Sequence, residues 1–277
     1  MPDVTANGVR FNVHCMGSGP RTVVFVHGLV LDNLSSWFFT VASAVAAHAD
    51  VVLYDLRGHG RSDQPPTGYA LADMARDLAG VLDALSLTGP VTLAGNSFGG
   101  LVALAFAARW PERVESLVLV DAQIADSGFG ARMADTLGLE GPALDQKVGE
   151  LFAEWLKLHS ARGHLDRDAG DFVDLIKRSG TRRRSPITRT ARGLVYGTSF
   201  VADVRGTPPL DAEALARVRC PVLALYGEDS DVRAEGELLA AALVDCRLEI
   251  VPGCAHSVLW HATDRLREAL VAWVLER

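Results

Sequence analysis

Val91-Thr92-Leu93-Ala94-Gly95-Asn96-Ser97-Phe98-Gly99-Gly100-Leu101 is the stretch whose reading decides the fold. Residues 91–94 have the composition of a buried strand and residues 101–108 that of an apolar helix, with Gly-x-Ser-x-Gly between them. A strand that becomes a helix over so few residues must turn sharply, and glycine removes the Cβ atoms that would collide there. Such a turn lifts the Ser97 hydroxyl above the strand end. It also sets that hydroxyl at a helix N-terminus, where unpaired N–H groups and the positive end of the dipole favour developing negative charge. Ser97 is therefore the candidate nucleophile.

Outward from this stretch the same alternation recurs. Residues 23–27, 51–55, 117–121, 221–226 and 247–251 are short runs dense in Val, Leu and Ile, and read as buried parallel strands. Helical patterns stand between and after them at 36–47, 71–85, 98–109, 234–243 and 263–275. Strand alternating with helix predicts an α/β fold, with a mostly parallel, doubly wound sheet of about eight strands. Residues 9–14, after the Asn7-Gly8 turn, read as an antiparallel edge strand.

The alternation stops between 124 and 205, where 151–159, 172–177 and 190–201 look helical with no strand among them. This predicts a core in two parts, 1–123 and 206–277, with a helical cap inserted at 124–205. The insert begins just beyond the C-terminal end of a strand, where open α/β sheets place their ligands. It is therefore expected to roof the site and exclude water.

Four further motifs stand in order at strand ends: His27-Gly28, Asp55-Leu56-Arg57-Gly58-His59-Gly60-Arg61-Ser62, Gly227-Glu228-Asp229-Ser230-Asp231 and Gly253-Cys254-Ala255-His256. With the elbow at Ser97 they make the chain resemble the α/β-hydrolase superfamily over nearly its whole length outside the cap. The resemblance implies that the N–H groups of Leu29, after the His-Gly turn, and of Phe98, after the nucleophile, form an oxyanion hole. Losing one such donor costs on the order of 3 kcal/mol in transition-state stabilisation.

Of the eight histidines, His256 alone follows both a strand and a Pro252-Gly253 turn, which frees its imidazole to lie over the sheet top. It is the candidate general base. His27 and His59 fall in turn motifs where a structural role is expected. The acid departs from the usual family pattern, in which it follows the seventh strand three residues beyond the glycine. That position is Ser230, flanked by Asp229 and Asp231. A minority of the superfamily carries the acid at the end of the sixth strand, where Asp121 stands. Asp121, Asp231 and Asp229 all remain candidates to orient and stabilise the imidazole.

Trp37, with Phe38 and Phe39, is expected either to line an acyl pocket or to pack the first helix on the sheet, and Trp260, four residues after His256, to wall the site. Arg182-Arg183-Arg184 with Arg189 and Arg192 makes the cap locally basic, a solvated face or a landing surface for an anionic or carrier-tethered acyl substrate.

The net charge of −7 argues against nucleic acid and anionic membranes as partners. The N-terminus lacks the basic and apolar regions of a signal peptide, so a cytoplasmic protein is expected. Cys15, Cys220, Cys246 and Cys254 have no C-x-x-C spacing, and no His or carboxylate cluster has metal spacing, so neither metal nor cofactor is expected. Oligomeric state is not encoded in any motif. The functional expectation is ester or thioester hydrolysis of a small acyl substrate through Ser97. Two alternatives are carried: hydrolysis of a carbon–carbon bond in a ring-fission product, suggested by Asn96 beside Ser97, and a small-molecule receptor built on the same fold.

Overall fold

A computed structural model describes residues 3–30, 32–125, 128–137 and 186–277. Eight strands form one sheet in the order β1-β2-β4-β3-β5-β6-β7-β8. They are β1 (Asp3–Ala6), β2 (Val9–Met16), β3 (Thr22–Val26), β4 (Asp50–Tyr54), β5 (Val91–Asn96), β6 (Val114–Val120), β7 (Val222–Gly227) and β8 (Cys246–Val251). From β4 to β8 every pairing is parallel; β2 joins β4 antiparallel and β1 joins β2 antiparallel. The sequence pointed to 9–14 as the edge, but the four residues of β1 precede it and take that place.

Inside the sheet, successive side chains face opposite layers, as the period of a strand requires. Val24 and Val26 face one layer, Val23 and Phe25 the other; Leu117 and Leu119 oppose Val118 and Val120 in the same way. The helices Leu71–Ala84, Phe98–Arg109 and Arg233–Ala242 cover the first layer, and the helix Thr263–Leu275 covers the second together with the first helical segment. That segment begins at Ser35–Trp37, passes through a π-helical turn at Phe38–Ala42 and ends at Ser43–Ala46. Because both faces are covered, the central strands are mostly apolar, which makes them legible as hydrophobic runs, and the buried hydroxyls of Thr92 on β5 and Ser116 on β6 pair with each other at 2.9 Å.

β3 lies between β4 and β5, so the chain leaves it toward one side and later returns on the other. The crevice above the carboxyl ends of β3 and β5 is where this topology opens a ligand site. His27-Gly28 and Ser97 stand at those two ends.

The expected cap helices at 151–159 and 172–177, and the run Arg182-Arg183-Arg184, lie outside the described residues. Of the remainder, helices Phe129–Leu137, Pro186–Gly197 and Phe200–Arg205 form, and no strand occurs among the described residues between β6 and β7. The helix expected at 190–201 is divided at Gly197-Thr198-Ser199, with the Thr198 hydroxyl bonded to the Leu194 carbonyl at 2.6 Å. Helix Phe200–Arg205 packs on the loop that follows β4. The Tyr69 N–H donates to Asp203 at 2.8 Å, the Ser199 N–H donates to the Pro66 carbonyl at 2.8 Å, and Phe200 meets the rings of Tyr69 and His59. No helix among the described residues is long and apolar enough to cross a membrane.

Candidate active site

Ser97 occupies the N-cap of helix Phe98–Arg109 at φ +53°, ψ −121°. A non-glycine residue is rarely held there, and the surrounding backbone imposes it. The Ser97 N–H donates to Val120 O at 3.0 Å, tying the elbow to β6, and its carbonyl accepts from Gly100 at 3.0 Å and from Gln123 at 3.2 Å. The glycines have steric reasons. A Cβ on Gly99 would lie 2.2 Å from the Val26 carbonyl oxygen and 2.5 Å from that of His27, and a Cβ on Gly95 would lie 2.5 Å from Gly99 O. Those neighbours are backbone and cannot step aside, so helix and strand meet closely only because no side chain intervenes.

His256 follows β8 and the Pro252-Gly253 turn, and its Nε2 lies 3.0 Å from Ser97 Oγ. On the other side of the ring, Nδ1 is 3.8 Å from Asp121 Oδ2 and 3.7 Å from Asp231 Oδ1. Both distances exceed a hydrogen bond, and Nδ1 and Asp121 Oδ2 are buried with no bonded partner.

The two carboxylates differ in surroundings. Asp121 is wholly buried at the end of β6, held at φ +43°, and its Oδ1 accepts the Gly227 N–H at 2.9 Å. Burial pushes its carboxyl up to about 6, opposed by the Gly227 N–H, the nearby His256 and the Ser230 hydroxyl, while Asp231 adds repulsion. Asp231 is 83% exposed. Asp229 does not reach the imidazole; its N–H donates to the Cys254 carbonyl at 2.9 Å.

Phe98 directly follows the serine, and Leu29 follows Gly28, on which a Cβ would lie 3.4 Å from Ser97 Cβ. Phe98 is the first residue of its helix, so its N–H has no intrahelical acceptor, while its ring is buried and stacks on Phe129 at 6.4 Å. Leu29 follows a braced turn. His27 Nε2 accepts the Leu56 N–H at 2.9 Å, which leaves its Nδ1 protonated and donating to the Gly28 carbonyl at 2.7 Å. The peptide plane that carries the Leu29 N–H is thus pinned through its carbonyl. Asp32, which motif reading passed over, accepts the Gly28 N–H at 2.8 Å and the Asn33 N–H at 2.9 Å. Its position four residues after Gly28 in a turn rich in Asn and Ser was the available signal.

Beneath this turn Asp55 is buried and accepts from three segments: Asn12 on β2 at 2.7 Å, the Leu34 N–H at 2.8 Å and the Arg61 N–H at 2.8 Å. His59 is buried beside His27, donates through Nδ1 to the Arg57 carbonyl, and is pushed down to about 3 by burial and by His27, so it stays neutral. These groups hold the loops; neither histidine is among the bonded partners of Ser97.

Trp37 does not line a pocket. It is fully buried, packs on Phe25 at 4.8 Å and donates through Nε1 to Val26 O at 3.1 Å, so of the two expected roles it takes core packing. The next two residues rotate outward along the helical segment: Phe38 and the 64% exposed Phe39 border a cavity of about 430 Å³ with Val30, Asp32 and Leu34. Trp260 is half-buried on the helix Val258–His261 and packs against the second core layer. Arg192 stacks over the ring of Tyr196 at 5.5 Å.

The model of the Alpha/beta hydrolase family matches residues 23–269. A non-heme chloroperoxidase of Streptomyces lividans is 30% identical over 279 residues, covering 95% of this chain and 96% of its own. A 2-hydroxy-6-oxo-2,4-heptadienoate hydrolase of Pseudomonas putida is 41% identical over 122 residues, 43% of each chain. Among solved structures, the enol-lactonase from Burkholderia xenovorans superimposes with a TM-score of 0.74 over the full length of both chains at 21% identity.

Proposed function

The chain belongs to the alpha/beta hydrolase family, and from that premise we propose that it is a serine hydrolase cleaving carboxylic esters or thioesters through an acyl-enzyme on Ser97. In this reading Ser97 Oγ attacks the acyl carbonyl as His256 Nε2 takes its proton, and the N–H groups of Leu29 and Phe98 receive the oxyanion. Collapse of the tetrahedral adduct expels the alcohol or thiol, which leaves with the proton from His256. Water, deprotonated by the same nitrogen, then attacks the ester on Ser97 and releases the acid and the free serine. Asp121 is the principal acid. It orients the ring through Nδ1 and stabilises the imidazolium, and a carboxylate buried at the ring edge acts more strongly than one screened by water.

The observation that carries this reading is the 3.0 Å approach of Ser97 Oγ to His256 Nε2, with Ser97 held at positive φ on a helix N-terminus. Residues 124–205 serve as the cap in this account. The stacking of Phe129 on Phe98 and the docking of Phe200 on the 58–69 loop support that role. The substrate is a small acyl compound, free or carrier-tethered, and the protein works in the cytoplasm without a cofactor.

A second reading, hydrolysis of a carbon–carbon bond, is favoured by Asn96 before Ser97 and by the partial similarity to the heptadienoate hydrolase. Acyl esters and thioesters of graded length, assayed beside 2-hydroxy-6-oxo-2,4-heptadienoate with Ser97→Ala as the blank, separate the readings. Turnover of the esters that depends on Ser97 is the expected result. Cleavage of the dienoate alone would select the second reading, and saturable binding without turnover would mark a receptor.

A further inference from the structure

Two carboxylates from different strands converge on one imidazole nitrogen. Nδ1 of His256 lies 3.8 Å from Asp121 and 3.7 Å from Asp231, near-equal distances, and is bonded to neither. A shift of about 1 Å would complete either bond, since charge-assisted N–H···O contacts close to roughly 2.8 Å. The two oxygens differ in freedom. Asp121 is anchored by its own left-handed backbone and by the Gly227 N–H on its other oxygen. Asp231 lies beyond the end of β7, next to Ser230, whose hydroxyl accepts the Val232 N–H at 3.3 Å, and its carboxylate faces water.

We propose that His256 is served by both carboxylates, with Asp231 a second positioning residue that holds the imidazolium in concert with Asp121. The proposal rests on the reading of His256 as the base.

The displaced motif after β7 has a physical consequence here. With a serine at position 230, where most of the family carries the acid, no carboxylate from that loop occupies the buried place at the ring edge. Asp121 fills it from β6, and Asp231 approaches from the rim. Burial makes the ionised form of Asp121 costly, and Asp231 makes it costlier by repulsion. Asp231 lies in water at the rim, so negative charge can reach Nδ1 from two sides, one buried and one hydrated. Among the described residues, the polar and titratable groups facing the ring are Ser97 from the elbow, Asp121 from β6 and Asp231 from beyond β7; the adjoining helix Val258–His261 carries the exposed His261.

The test follows the His256 imidazole by NMR titration in the full chain carrying Ser97→Ala, alone and with Asp231→Asn or Asp121→Asn. Removing a nearby negative charge lowers an imidazole pKa, so Asp231→Asn is expected to lower it by roughly half a unit or more, and Asp121→Asn likewise. The exposed Asp231 side chain makes its replacement safe for folding. In the otherwise native enzyme, Asp231→Asn is expected to cost less than about 10-fold in kcat/KM, Asp121→Asn about 10- to 100-fold, and the double variant at least about 10-fold more than the product of the two. An unchanged His256 titration in Asp231→Asn, or Asp231→Asn without effect on rate in both the native and Asp121→Asn backgrounds, overturns the proposal. The titration needs no turnover, so an inactive protein whose His256 still responds to both substitutions refutes the hydrolase reading while leaving the two-carboxylate arrangement standing.

Discussion

On the Ser97 side of the site, close backbone packing sets the elbow, and the side chains of His27 and Asp32 brace the adjoining turn. The strand end, the helix start and the β3 turn meet where a Cβ on Gly99 would come within 2.2 Å of a carbonyl oxygen, and the Leu29 peptide is pinned by His27. On the His256 side, the contacts run between side chains borne on the ends of three strands, at 3.7 to 3.8 Å, with one carboxylate buried and one in water. Backbone constraint admits almost no substitution and writes itself into the sequence as fixed glycine spacing. Side-chain convergence can be reached from more than one strand, which is how Asp121 and Asp231 both come to face His256 although the position three residues beyond Gly227 holds Ser230.

Substitutions on the two sides should therefore differ in kind as well as size. The largest effect belongs to Ser97→Ala, which is expected to lower kcat by about 10⁴- to 10⁶-fold with the fold unchanged, measured by steady-state kinetics and circular dichroism. Next comes Gly99→Ala. Its methyl group meets backbone that cannot move, so a loss of stability of about 3 kcal/mol or more is expected in denaturant unfolding, and with it the soluble protein. A well-folded Gly99→Ala would break the contrast between the two sides.

Asp32→Ala sharpens the contrast, because it removes a side-chain brace from the backbone-built half. Its carboxylate fixes the Gly28 N–H one residue before the Leu29 N–H proposed to receive the oxyanion, so kcat is expected to fall by roughly 10- to 100-fold with a smaller change in KM. Asp32→Asn, which keeps an acceptor oxygen, should recover part of that loss.

The smallest effect is on stability, at Asp121. Its folded pKa, pushed up to about 6, lies above its ordinary value, so the native state binds this proton more tightly than the unfolded chain. The ionised carboxylate therefore costs stability above pH 6, and the cost fades as pH falls through 6 toward the ordinary carboxylate range. Asp121→Asn is expected to raise the melting temperature by a few degrees at pH 8, with the gain shrinking by pH 5, while lowering turnover. Thermal scans across that range check the sign.

The same division explains what the sequence disclosed. The central strands were legible because a sheet covered on both faces needs unbroken apolar runs, and the elbow because three glycines at fixed spacing have few other uses. β1 escaped notice because Asp3-Val4-Thr5-Ala6 is short and pairs on one side only. Trp37 showed the limit of composition: Trp37, Phe38 and Phe39 are adjacent and apolar, yet rotation along the helical segment buries the first and exposes the last. The acid stayed open among three aspartates because strand ends are countable in sequence while the aim of a side chain beyond them is not. Asp32 was overlooked for a related reason: its place four residues after Gly28 in an Asn- and Ser-rich turn marks a turn acid, but not which backbone N–H groups it bonds.

The central claim is that Ser97 is an activated nucleophile, and a fluorophosphonate probe followed by peptide mass spectrometry tests it most directly. One covalent adduct is expected, on Ser97, formed rapidly in the native chain and slowed by orders of magnitude in His256→Ala. An unlabelled Ser97 in folded protein, or equal labelling with and without His256, would contradict it.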